Sequence, residues 1–120
     1  MQNERERRGL MDHEKEARAI HRSGYNCSNS VYQAFSDIDH AGGNPPAPRS
    51  IAGKCGALIT AQKVLRDLGI DREEELEQAF ASELGYVLCR DLKRNRVDCN
   101  DCVGVAARLV DEYAAQEAQT

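Results

Sequence analysis

The sequence predicts an all-α fold: a small single-domain bundle of four to five helices with a Pro/Gly-rich loop at about 39–53. Three observations lead there. Apolar residues recur at the 3.6-residue spacing of a helix face in several separate segments. Those segments are divided by Gly, Asn and Asp at positions that suit helix caps and stops. No stretch alternates apolar and polar residues long enough to read as a strand, which leaves helix-on-helix packing as the architecture.

Residues 1–11 are polar with alternating charge and read as a tail or helix extension, ahead of one helical domain at 12–116. From Asp12 to about Arg22, Ala17 and Ile20 offer a weak apolar stripe. Asp12 is placed to cap, with Lys15, Arg18 and Arg22 towards the C-terminal end. Gly24 stops this helix and Asn26 caps the next, whose apolar positions 27, 31, 34, 35 and 38 share one face. Residues 39–53, DHAGGNPPAPRSIAG, are too rich in Pro and Gly for a helix or a central strand. A third helix is expected over 55–68, stopped by Gly69. Asp71 with Glu74 reads as a capping box for a fourth, which ends at Gly85. Its acidic run Glu73-Glu74-Glu75 suits a first helical turn. Cys89 heads a short turn or helix through the basic stretch 90–96. Asp98 caps the last helix, which carries Cys99, Cys102, Val103, Ala106, Val110 and Tyr113 on one face.

Composition removes several functions. With 120 residues the chain is one domain, long enough to bury a core without covalent staples. No apolar run reaches the ~20 residues of a membrane helix. The N-terminal stretch lacks the apolar segment of a secretory signal, so the expected location is cytoplasmic, with no membrane contact. Net charge is −4, and aromatics make up 5% with no Trp, so nucleic acid is not an expected partner. The basic stretch 90–96 reads as a solvated turn on the same ground.

The cysteines stand out. There are five, at 27, 55, 89, 99 and 102. In a reducing compartment they are not needed as disulfide staples, and at this density they point to metal or redox chemistry. Cys27, Cys55 and Cys99 each open an expected helix, and Cys89 a short one. A helix start carries partial positive charge and free N–H groups, which favour thiolate over thiol. Cys99-Asn-Asp-Cys102 is a CxxC with both sulfurs on one helical face. Val103 follows it, which excludes haem attachment through CxxCH, and no βαβ frame surrounds it for thioredoxin-like chemistry. Asp98 and Asp101 oppose a lowered pKa there, while Arg90, Lys93, Arg94 and Arg96 favour one. A single cysteine of this kind reads equally well as a small buried hydrophobe. All five together, four of them at helix starts, read as chemical groups. His13, His21 and His40 are not at paired ligand spacing with any cysteine, which weakens zinc. Gly56 after Cys55 reads either as close packing of helices or as room for a cofactor.

The order Gly24-Tyr25-Asn26-Cys27, Gly53-Lys54-Cys55-Gly56-Ala57, Leu88-Cys89-Arg90-Asp91-Leu92 and Cys99 with Val103 resembles the redox-active family named for its C…CGAxxG…C…C cysteine pattern. The resemblance covers about residues 12–114 and is nearest to short members with a proline-containing loop and a C-terminal CxxC. By position, Cys27, Cys55, Cys89 and Cys99 match the four family cysteines, and Cys102 the extra one of the short members. Thr60 stands where the family motif has its second glycine. The Gly-rich stretch before the motif is reduced to Gly42-Gly43 and Gly53. The resemblance implies redox activity and names no substrate.

Three expectations follow. The first is an electron carrier, rather than a stand-alone enzyme, in which Cys27, Cys55, Cys89 and Cys99 bind an iron–sulfur centre. Cys102 is the spare thiol of this metal set. The second is a metal-free thiol–disulfide protein, with Cys99 as nucleophile, Cys102 as resolving thiol, and Cys27, Cys55 and Cys89 as a relay. The third is a zinc-binding or purely structural interaction domain. A redox partner protein is expected for the first two. The short apolar stripes leave helix faces for a homodimer.

Overall fold

The computed structural model describes residues 13–36, 50–51 and 53–118, among which the expected all-α fold stands. The N-terminal tail, the Asp12 cap, Ile38, His40 and nearly all of the proline loop lie outside the described residues. Helix α1 covers 13–22, α2 Cys27–Ala34, α3 Gly56–Asp67, α4 Glu73–Leu84, α5 Cys89–Arg94 and α6 Cys99–Ala118. Between α2 and α3 lie two short strands, β1 (Ser50–Ile51) and β2 (Lys54–Cys55), paired antiparallel.

Three boundaries follow from cap chemistry. The Asn26 side chain accepts the Asn29 N–H at 2.8 Å and opens α2. Asp98 accepts the Asn100 N–H at 3.0 Å and opens α6. At the end of α3, Gly69 takes φ +77°, the Ile70 N–H reaches the Leu65 carbonyl at 2.9 Å and the Gly69 N–H that of Arg66 at 3.0 Å. This paired closure needs a left-handed residue, which glycine adopts without steric penalty.

One expected cap is corrected. The residue before α4 is Arg72, not Asp71, and no side chain caps the helix start. Arg72 is held elsewhere: its guanidinium pairs with Glu75 and lies 4.2 Å from the centre of the Tyr113 ring. Glu73, Glu74 and Glu75 complement the first-turn dipole instead. A second correction concerns α3, which starts at Gly56, with Cys55 outside it as the preceding residue. Gly56 is therefore a first-turn residue, where its low interior propensity carries little cost.

Helix α3 is central, packing against α2, α4 and α6, while α6 also contacts α2 and α4. Leu58, Val64 and Leu65 of α3 meet Val31 and Phe35 of the α2 end, Leu76 and Phe80 of α4, and Val103 and Val110 of α6 in one fully or nearly fully buried cluster. Helix α1 is fastened to α6 at two points. His13 Nδ1 lies 2.8 Å from Asp111 Oδ1, with its ring stacked 4.1 Å from that of Phe35. Arg18 binds Asp101 at 2.9 Å and the Asn100 carbonyl at 3.3 Å. Gly104 leaves room for this arginine, because a Cβ there would overlap the guanidinium.

The strands were not expected, since two-residue strands are too short to show a period. They have a positional consequence. Lys54 forms an antiparallel bridge with Leu88. The Cys55 N–H bonds to the Val87 carbonyl at 2.9 Å and the Cys89 N–H to the Gly53 carbonyl at 2.8 Å. Gly53 turns the hairpin at φ +80°. In this register Cys55 and Cys89 are diagonal neighbours on one face of the ladder.

Candidate functional site: a cysteine cleft

Two cysteine groupings meet at Cys27. The first lines a cleft of about 290 Å3, bounded by His21, Gly24, Tyr25, Asn26, Cys27, Cys89, Lys93 and Cys99. Its three cysteines are the first residues of α2, α5 and α6. The expected placement of cysteines at helix starts thus becomes a shared location in space. Cys27 is buried, whereas Cys89 and Cys99 are partly exposed.

The second grouping runs inward. The Cys27 thiol hydrogen-bonds to the Cys55 sulfur, and the Cys55 thiol to that of Cys102. Cys55 and Cys102 are 3% and 2% exposed, so this end of the chain of thiols is closed to solvent. Cys102 therefore lies behind the cleft, engaged by Cys55, although it is only three residues from Cys99.

Helix starts do face the sulfurs. The Ala57 and Ser28 N–H groups point to Cys27, and that of Leu58 to Cys55, without closing an ordinary cap bond at Cys55. These contacts favour thiolate, as expected. They are outweighed. The hydrogen bond to Cys55, then burial, pushes the Cys27 thiol far above its ordinary range. The hydrogen bond to Cys102 and burial push Cys55 up to about 12. Burial raises Cys99 as well, aided by Cys27, Cys89 and Asp98 and opposed by Lys93. The expectation of lowered cysteine pKa values is corrected for these three. Neighbouring sulfurs that would repel as thiolates and a desolvating core exceed the partial charge of a helix end.

Two residues at the cleft were not expected. His21 accepts at Nδ1 from the Asn100 side-chain amide at 3.2 Å, which leaves the proton of the neutral ring on Nε2. Tyr25 forms part of the wall and is 51% exposed. Nothing in the spacing of His21 from the cysteines marks it, because the packing of α1 on α6 brings it in, whereas Tyr25 stands two residues before Cys27 and comes with it. Lys93 was noted only as a nearby positive charge; it lines the cleft itself. Thr60 is fully buried, and its hydroxyl has no hydrogen-bond partner among the described residues.

Among the described residues, which include all five cysteines, no group of three or more His, Cys, Asp or Glu side chains is placed to hold a metal ion. No described helix is long and apolar enough to cross a membrane.

No family model, no curated protein and no solved structure matches this chain.

Proposed function

We propose that the protein is a thiol–disulfide redox protein whose exchange site is the cleft, with Cys99 as the thiol shared by two candidate disulfides, to Cys27 or to Cys89. The observation that carries this reading is the common wall formed by three cysteines from three separate helices. Disulfide exchange needs an accessible thiolate and a second thiol within bonding reach. Cys99 and Cys89 are the partly exposed thiols of the cleft, and Cys27 and Cys89 share its wall with Cys99. Cys102, buried and hydrogen-bonded by Cys55, serves this reading less well as the resolving thiol than either cleft neighbour.

In the forward direction a Cys99 thiolate displaces one half of a disulfide as a thiolate and forms a mixed disulfide. Cys27 or Cys89, as thiolate, then attacks the Cys99 sulfur and releases the second half. Two thiols of the protein lose two electrons and two protons in total, and one substrate disulfide becomes two thiols. Lys93 opposes the burial of charge at Cys99 while the thiolate forms.

The experiment is a titration of the protein in dithiol–disulfide buffers, read by counting free thiols. A single two-electron couple is expected in the native chain. It is expected to vanish in Cys99→Ser and to persist in Cys102→Ala. A couple that survives Cys99→Ser and is lost in Cys102→Ala would overturn the reading.

A further inference from the structure

We propose that the cleft selects small disulfides that carry a carboxylate. This inference rests on the exchange reading above and adds the class of substrate. Three observations support it. The cleft, at about 290 Å3, lies just below the ~300–1,000 Å3 of small-molecule sites, a size that fits a small disulfide. Its wall, among the described residues, contains one ammonium group, that of Lys93, and no carboxylate. Lys93 is exposed, in the last turn of α5, while Cys89 opens the same helix. A negative group on the substrate can thus approach the ammonium while its sulfur approaches the wall thiols.

The surroundings agree in sign. Arg90 and Arg94 lie on the same short helix and are exposed. Opposing charge comes from Asp91 on the same helix and from Asp98, which flanks Cys99 and raises its thiol. Asp98 is not part of the cleft wall. It weakens the preference without reversing it, because the substrate meets Lys93 inside the cleft. The imidazole of His21 adds a polar group to the same wall.

The step is the balanced exchange already written. The carboxylate-bearing disulfide is the oxidant, its two halves leave as thiols, and the protein retains one internal disulfide.

The test uses the reduced full chain and three probes: dithiodiglycolate, which is anionic; hydroxyethyl disulfide, which is neutral; and cystamine, which is cationic. Each rate is divided by that of the same probe with a small free thiol. At low salt the anionic probe is expected to exceed the cationic one by about tenfold, a ratio that salt diminishes. Lys93→Gln is expected to bring the ratio close to one, and Arg94→Gln to leave most of it. A ratio of one or below in the native chain, or a ratio untouched by Lys93→Gln, overturns the inference while the exchange reading stands on the neutral probe. Failure of the neutral probe to react at any cysteine overturns both.

Discussion

Above about pH 8.5 the protein is expected to lose stability steeply, because the buried Cys55 and Cys27 thiols resist ionisation in the fold. An unfolded cysteine ionises near 8.5, whereas burial and the bond to Cys102 hold the folded Cys55 thiol up to about 12. Between those values the unfolded chain has released a proton that the folded chain keeps. The unfolded state binds fewer protons, so rising pH favours unfolding. The contribution is fully present below the unfolded value and disappears as pH climbs to the folded one. At about pH 10 this amounts to about 2 kcal/mol from Cys55 alone, and Cys27 acts in the same direction. Urea unfolding of the reduced protein at about pH 7 and about pH 10 measures it. Cys55→Ala is expected to be less stable than the native chain at the lower pH and to lose less between the two. An equal loss in both proteins would show that Cys55 does not ionise against the fold.

The second large effect is expected from Phe80→Ala. Helix α4 buries only Leu76 and Phe80 fully, with Ala79 and Leu84 partly covered. Removing the phenyl ring takes away the larger of its two anchors and leaves a cavity against α3 and α6. Such truncations cost about 3–5 kcal/mol, a large share of the ~5–15 kcal/mol that holds a domain folded. The loss reaches the cysteines through α4. Glu77 binds Lys54 of β2 at 2.9 Å, and the Gln62 amide of α3 donates to the Glu73 carbonyl at 3.0 Å. Lys54 adjoins Cys55, so loosening α4 loosens the strand that sets this thiol. Denaturant melts are expected to show the lost stability, and alkylation of Cys55 is expected to quicken. Faster alkylation of Cys99 with Cys55 unchanged would contradict this coupling.

The helices were legible because their signals are local. Asn26 and Asp98 cap where short polar side chains can reach the next free N–H groups, and Gly69 stops where a left-handed residue is needed. Asp71 misled because Arg72, drawn to Glu75 and Tyr113, moved the helix start by one residue. The strands were invisible because two residues define no alternation. At the site, the position of cysteines at helix starts was legible, and their convergence was not. Bringing α2, α5 and α6 to one cleft depends on core contacts and on the Lys54–Leu88 bridge, which residue spacing does not encode. The direction of the thiol pKa shifts was misread for a related reason. Helix-end charge is a local property, but burial and the approach of Cys27, Cys55 and Cys102 to one another arise only in the folded chain. His21 joins the cleft by the same tertiary route.

The most direct test of the central claim is to map the sulfurs after one equivalent of hydroxyethyl disulfide is added to protein purified without oxygen, with iron, zinc and acid-labile sulfide measured on the same sample. The account predicts an internal disulfide that includes Cys99 and either Cys27 or Cys89, with Cys55 and Cys102 still reduced and no stoichiometric metal. Matched iron and sulfide bound by the cysteines, or oxidation that joins Cys55 to Cys102 while Cys99 stays free, would contradict it.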